Sequence, residues 1–155
     1  MSHHRISRVA VALFGVALLG PAVAPANGAI GTRTSFTVNT QFWPDPSPIV
    51  AATGPLSPCT SVLDLASNAT QISPSKVLFS GEKQLACGEA SVVIHYDATL
   101  NFHAVGLTFG SWYVVSSTLD GVTAGSGTLK GDSRACEVLE GSQGCILDVF
   151  SGSVY

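Results

Sequence analysis

Basic residues are the scarcest charged residues of this chain. Lysine and arginine number 7 against 10 aspartates and glutamates, which gives a formal net charge of −3. Arg5 and Arg8 lie in an N-terminal leader, so the rest of the chain carries 7 − 2 = 5 basic residues and a formal charge of 5 − 10 = −5. Nucleic-acid binding requires a basic patch that neutralises phosphates, and the sequence offers none. We therefore expect no nucleic-acid partner.

The residue patterns of common catalytic and metal sites are also missing. The sequence contains no C-x-x-C pair, no Ser-His-Asp elbow motif and no nucleotide-binding glycine loop. His95 and His103 are the histidines outside the leader. On one strand they would lie about 26 Å apart, at ~3.3 Å per residue, which is too far to share a metal ion. The sequence therefore predicts neither a metal site nor a cofactor.

The first 28 residues have the layout of a secretory signal peptide. Arg5 and Arg8 give a basic start, the apolar run 9–20 follows, and small residues allow cleavage near Ala26 or Gly28. The alternative is a retained membrane anchor, but the apolar run is short for a stable span. We expect a secreted protein with no stable membrane anchor after cleavage, and a single domain over residues 29–155.

An exported chain with four cysteines is expected to form two disulfides. The midpoint of Cys59 and Cys87 falls in the turn 73–75, and the midpoint of Cys136 and Cys145 also falls at a turn. Each pair should therefore face across a hairpin. This predicts the disulfides Cys59–Cys87 and Cys136–Cys145, worth about 3.5 and about 2.5 to 3 kcal/mol on the chain-entropy model.

Alternation of apolar and polar residues predicts β-strands, and the longest alternation runs from Ser91 to His103. Gly88-Glu89 before it suits a two-residue turn. Pairing residues whose numbers sum to 177 then lays this strand antiparallel on the preceding one, with apolar residues opposite apolar ones. We expect this strand to lie at the centre of the sheet.

The predicted disulfide between Cys59 and Cys87 also suggests how the strands on either side of the turn 73–75 pair with each other. Residues whose numbers sum to 146 would pair, which puts Leu63, Leu65 and Ala69 on the buried face.

The segment from Pro44 to Pro58 is rich in proline and is predicted to be a long loop. Outside it, strand patterns and turn signals follow one another, and no stretch has a helical period. The predicted fold is all-β: a single-domain antiparallel β-barrel of about seven or eight strands, with a β-sandwich as the alternative.

Three segments between Val77 and Val154 resemble a known group of barrels. They are V-L-F-S-G-E-K-Q-L-A-C-G, G-S-W-Y-V-V-S-S-T-L-D-G-V-T-A-G-S-G-T-L-K-G and I-L-D-V-F-S-G-S-V. Their Gly-x-Trp strand, glycine-rich turn and closing D-x-aromatic-x-G resemble small secreted bacterial proteins similar to the allene oxide cyclase and dirigent-like barrels. The resemblance implies an eight-stranded antiparallel barrel, in a group that includes cyclases and proteins that hold a reactive small molecule in an apolar lumen. It assigns no catalytic residue here, and the usual GGTG turn is reduced to Leu119-Asp120-Gly121-Val122.

On the polar face of the predicted sheet, Glu82, His95 and Asp97 form a cross-strand cluster of ionisable groups. A carboxylate–imidazole pair can do general acid–base work, which makes Glu82 and His95 catalytic candidates. Charged residues on a sheet face are mostly exposed to water, and we favour that interpretation of the cluster.

On the apolar face, Tyr96, Trp112 and Phe79 are candidate ligand-binding residues in a barrel lumen. Lys83 and Asp148 interrupt that face and are catalytic candidates, because a charged group in a lumen needs a partner and has a shifted pKa. Such residues are rarely buried, however. We therefore expect the Lys83 ammonium in water near an open end, and Asp148 at a turn or in solvent.

Three functions are compatible with these features. The first is a secreted barrel that binds a small apolar molecule in its lumen without chemistry. The alternatives are a cyclase-like enzyme that uses the same cavity, and an extracellular structural or interaction module with a filled core. An aromatic lumen with one buried carboxylate favours the enzyme, the same lumen without ionisable groups favours binding, and a core packed to native density excludes both.

Overall fold

The computed structural model describes residues 30–43, 45–102 and 106–155. These residues form eight antiparallel strands, each paired with the next, and the eighth pairs with the first to close a barrel. The strands are β1 (Thr32–Gln41), β2 (Ser47–Thr53), β3 (Ser61–Ser73), β4 (Lys76–Cys87), β5 (Ala90–Asn101), β6 (Leu107–Ser117), β7 (Gly125–Asp132) and β8 (Cys145–Val154). The predicted all-β barrel is confirmed, and the β-sandwich alternative is wrong. The predicted signal peptide, residues 1–28, and His103 lie outside the described residues.

The register predicted for the central strand is confirmed. β4 and β5 pair with numbers that sum to 177, from Lys76 opposite Asn101 to Cys87 opposite Ala90. The predicted two-residue turn joins them, and Gly88 in that turn has a φ of 70°, which glycine adopts without steric cost. In this register Leu85 lies opposite Val92 and Phe79 opposite Ala98, and these residues share the inner face of the barrel.

Both predicted disulfides, Cys59–Cys87 and Cys136–Cys145, are confirmed. They are consistent with an extracellular protein, because disulfides persist in oxidising environments. Among the residues that the structure describes, no helix has the length and apolar character needed to cross a bilayer.

The loop predicted between Pro44 and Pro58 contains a strand, β2, and the short 3-10 helix Gly54–Leu56. The prediction failed because it treated Pro48 as a strand breaker. The ladder between β1 and β2 ends at Ile49, so the missing N–H of Pro48 removes no bond to β1. Pairing of β2 with β3 is limited to two positions, the shortest ladder between described strands.

The register predicted for β3 and β4 is wrong. Asp64 pairs with Lys83, a sum of 147 rather than 146, and an irregularity at Leu65 raises the sum to 148 beyond it. Leu63 and Leu65 consequently lie outside, 42% and 46% exposed, whereas Val62 is buried. The actual register places Asp64, instead of a leucine, opposite Lys83.

The barrel interior divides into a packed half and a hollow half. In the packed half, Phe36 stacks on Phe150 with ring centres 4.4 Å apart and meets Trp112 edge-on at 5.8 Å. These three rings are at most 1% exposed, and such aromatic arrangements stabilise a core beyond the area they bury. The hollow half lies at the end where β1 finishes and β8 begins.

Candidate functional site

The hollow half of the barrel contains a cavity of about 360 Å³. Its apolar wall is formed by Phe42, Trp43, Phe79, Ala98, Leu129 and Ile146. Its polar and ionisable lining consists of Thr40, Gln41, Asp45, Asp64, Ser67, Lys83, Tyr96, Thr108 and Asp148. Although polar residues are the more numerous, most of the surface that they and the apolar residues expose to the cavity is apolar. A mainly apolar surface with convergent polar groups is typical of small-molecule sites, whose volumes begin at roughly 300 Å³.

An ion pair between β4 and β3 forms one side of the cavity. Lys83 Nζ lies 2.5 Å from Asp64 Oδ1 and 5.1 Å from the centre of the Tyr96 ring, a distance at which a cation is attracted to an aromatic face. Lys83 is only 3% exposed, so the expectation that its ammonium lies in water is wrong. A buried ammonium is tolerated when it is paired, and Asp64 supplies that partner.

Asp148 is buried in the same cavity, and the expectation that it faces solvent or caps a turn is also wrong. It is 6% exposed, and Thr40 Oγ1 donates a hydrogen bond to Asp148 Oδ2 over 2.7 Å. Burial raises the pKa of Asp148 to about 6. The hydrogen bond from Thr40 and the charge of Lys83 act in the opposite direction, and Asp64 raises the pKa further. This carboxyl group can therefore gain or lose a proton close to neutral pH.

Gly131 provides the space for the Asp148 carboxylate. It pairs with Asp148 of β8 on one side and with Thr108 of β6 on the other. A Cβ at position 131 would collide with Asp148 Oδ1 and would lie 2.7 Å from Ile146 Cγ2. Only glycine leaves this position open, which is how a strand glycine permits the close approach of another group.

Tyr96 and Asp45 add two further ionisable groups with shifted pKa values. Burial raises the pKa of the Tyr96 phenol, and the charges of Asp64 and Asp148 raise it further. Burial also raises the pKa of Asp45, as does the charge of Asp64, whereas Lys83 lowers it. Tyr96 consequently remains a neutral hydrogen-bond donor at physiological pH.

The structure brings two of the three predicted ligand-binding residues to the cavity. Phe79 and Tyr96 line it, but Trp112 does not. Trp112 lies opposite Tyr96 in the ladder, yet its ring contacts Phe36 in the packed half. Trp112 therefore packs in the core, away from the residues that line the cavity, and a ligand-binding role for it stays a prediction.

The cluster predicted on the polar face lies on the outside of the barrel, as expected. Glu82 is opposite His95, and His95 Nε2 lies 3.4 Å from Asp97 Oδ2, on a side chain that is 53% exposed. The His95 ring also lies 5.0 Å from the ring of Tyr113. The cluster is separated from the cavity by the sheet, and a catalytic role for Glu82 or His95 stays a prediction. Over the described ranges, no group of three or more His, Cys, Asp or Glu side chains could hold a metal ion.

Sequence reasoning missed several polar residues of the cavity: Thr40, Asp45, Asp64 and Thr108. A signal existed for Asp64, because a register sum of 146 sets it opposite Glu82, a like charge, whereas a sum of 147 sets it opposite Lys83. The two threonines gave no signal, because threonine is common in strands whichever way it faces.

Comparison of the chain with protein-family models, with curated proteins and with solved structures finds no match in any of the three.

Proposed function

We propose that this protein binds one small molecule, with a mainly apolar body, in the hollow half of its barrel. The cavity of about 360 Å³ is the observation that carries the proposal. Protein interiors are normally packed to the density of organic crystals, and in the packed half of this barrel Phe36, Trp112 and Phe150 are buried and in contact. Open volume beside a close-packed core supports a binding site and argues against a structural module with a filled core.

The lining of the cavity supports a ligand that is apolar with one polar group. Phe79, Leu129 and Ile146 offer apolar surface, whereas Asp148 and Thr108 offer hydrogen-bonding groups at one place on the wall. Buried polar groups are rarely left unpaired. A ligand that pairs with them would be oriented by those groups and stabilised by burial of its apolar surface.

Native mass spectrometry of the protein purified from its source organism tests this proposal. We expect a bound small molecule on the wild type and its loss from Ala98→Phe, because Ala98 lines the cavity and a phenylalanine would fill it. Thr99→Phe, on the outer face of the same strand, is the matched control and should keep the ligand. Retention of the molecule by a folded Ala98→Phe variant would place its binding site elsewhere and refute the proposal.

A second candidate function, acid–base catalysis of a cyclase-like reaction, is favoured by Asp148. A catalytic acid or base works best with a pKa near the working pH, and burial gives Asp148 a pKa of about 6. The resemblance to allene oxide cyclase and dirigent-like barrels agrees with this candidate. Incubating the co-purified molecule with wild type and with Asp148→Asn distinguishes the two functions. Turnover by the wild type alone supports catalysis, and an unchanged molecule in both supports binding.

We also propose that the protein acts outside the cell. The two disulfides and the leader-like sequence of residues 1–28 support this location. The protein should be recovered from the culture medium with an N-terminus close to Asn27 or Ala29. Recovery of the uncleaved chain from the cytoplasm would contradict the proposal.

A further inference from the structure

The cavity holds more acidic than basic side chains. Asp45, Asp64 and Asp148 line it, and Lys83 is the basic residue of the lining that the structure describes. Lys83 forms its ion pair with Asp64. Over the same described ranges, no ion pair reaches Asp148. A further positive charge beside Asp148 would therefore be stabilised.

A second observation points to a ligand at this place. Thr108 also lines the cavity and is 4% exposed, and its hydroxyl has no hydrogen-bond partner within the described part of the chain. Thr108 of β6 and Asp148 of β8 lie on either side of Gly131 in β7, so the three residues form one row across the barrel wall. An unpaired buried hydroxyl is costly. A group that donates hydrogen bonds to both residues would remove that cost.

We propose that the polar group of the ligand is a protonated amine, which pairs with Asp148 and donates a hydrogen bond to Thr108, while the apolar body lies against Phe79 and Leu129. The inference rests on the proposed ligand-binding function and specifies its ligand class, a small primary or secondary amine. An ammonium group has several donors and no acceptor, which matches a carboxylate beside a hydroxyl. The exposed Trp43 at the cavity wall suits the approach of a cation, because aromatic faces attract positive charge.

Ligands of the opposite charge are disfavoured by the same geometry. A carboxylate in this cavity would face Asp45, Asp64 and Asp148, and it could reach Lys83 only in competition with Asp64. A neutral alcohol could pair with Thr108 but would leave Asp148 without a counter-charge. An amine is the ligand type that satisfies both residues.

An ion pair with Asp148 makes binding depend on pH. Burial raises the pKa of Asp148 to about 6 in the empty cavity, and a bound ammonium would lower it by stabilising the carboxylate. The groups that act on Asp148 are Thr40 of β1, Asp64 of β3, Lys83 of β4 and Tyr96 of β5. Amine affinity should therefore be constant above about pH 7 and should fall by up to about tenfold per pH unit below about pH 6.

Isothermal titration calorimetry on ligand-free protein tests the inference with three probes of one shape: 4-phenylbutylamine, 4-phenylbutan-1-ol and 4-phenylbutyrate. At pH 7.5 the amine is expected to bind at least tenfold more tightly than the alcohol, and the acid most weakly. Asp148→Asn should reduce amine affinity to that of the alcohol and leave alcohol affinity unchanged within about twofold. Asp120→Asn, at an exposed turn after β6, is the control for loss of one carboxylate and should change neither.

Thr40→Val provides a second test that retains the carboxylate. Loss of the hydrogen bond that lowers the pKa of Asp148 should move the pH midpoint of amine binding upward, an effect that general damage to the fold would not produce. Equal affinity for the amine and the alcohol, full amine affinity in Asp148→Asn, or no binding of any probe would each overturn the amine assignment. Loss of the co-purified ligand from Ala98→Phe decides the proposed binding function independently of these outcomes.

Discussion

Replacing Asp148 by asparagine should remove a pH-dependent loss of stability. The side chain is 6% exposed and has a hydrogen bond from Thr40, and asparagine keeps its size and can still accept that bond. Only the wild-type side chain can ionise, so a comparison of the two proteins isolates the free energy of placing a negative charge in the cavity.

The magnitude follows from the pKa of Asp148, which rises from its ordinary value of 3.8 to about 6 in the folded protein. The folded protein holds this proton more tightly than the unfolded chain does. The contribution of protonated Asp148 to the unfolding free energy is therefore fully present below about pH 3.8 and is lost as pH rises through about 6. A shift of about 2 pKa units corresponds to about 3 kcal/mol. Between pH 3.5 and pH 7.5 the wild type should therefore lose about 3 kcal/mol of unfolding free energy relative to Asp148→Asn.

Urea unfolding of the ligand-free proteins, followed by tryptophan fluorescence across this pH range, measures the difference. Trp112 is buried and reports loss of the packed half. Asp120→Asn is the control and should follow the wild type. Parallel pH curves for wild type and Asp148→Asn would refute the reasoning, because they would mean that the carboxylate is hydrated in the fold.

Two further predictions concern the residues that shape and close the barrel. Gly131→Ala should lower the unfolding free energy in urea by about 1 to 3 kcal/mol, because the added methyl collides with the Asp148 carboxylate; stability equal to the wild type would mean that this carboxylate does not occupy the space over Gly131. Replacing both Cys136 and Cys145 by serine should lower the same free energy by about 2.5 kcal/mol, as expected for a link across a sequence separation of 9, and an unchanged urea midpoint would contradict the chain-entropy estimate.

The parts of the fold that were predictable had redundant sequence signals. For β4 and β5, a long alternation, a two-residue turn and apolar pairing all favoured the sum of 177, and the structure has that register throughout. Both disulfides followed from turns at the cysteine midpoints. Long alternation and short turns leave a hairpin little freedom to slip.

The register of β3 failed because its signals conflicted. The cysteine midpoint indicated a sum of 146, but Cys59 precedes β3 and does not fix its ladder. The charges favoured a different sum, since Asp64 meets Glu82 in the predicted register and Lys83 in the observed one. At Leu65 an irregularity in the ladder then raises the sum from 147 to 148, and no turn residue in the sequence indicates it.

The sequence predicts which residues of the candidate site lie on the inner face of the sheet, but not their positions along the barrel axis. Alternation shows that Tyr96 and Trp112 both point inward, and they are direct partners in the ladder. It does not show how far along the barrel axis each ring reaches, because that depends on strand tilt and stagger. The burial of Lys83 could not be predicted either, because it depends on its partner Asp64 in another strand. The burial of Asp148 likewise depends on the hydrogen bond from Thr40 and on the space left by Gly131.

The division of the barrel into a packed half, which contains Trp112, and a hollow half, which Tyr96 lines, has a consequence for how the protein tolerates mutation. The three largest fully buried side chains lie together on the Trp112 side, where Phe36 and Phe150 fill the interior. Ligand choice, on our proposal, resides on the Tyr96 side, where positions such as Ala98 and Leu129 border open volume. Substitutions at those positions can alter the size of the ligand that the cavity accepts. A barrel divided in this way can acquire new ligand specificities through substitutions in the hollow half while the packed half preserves the fold.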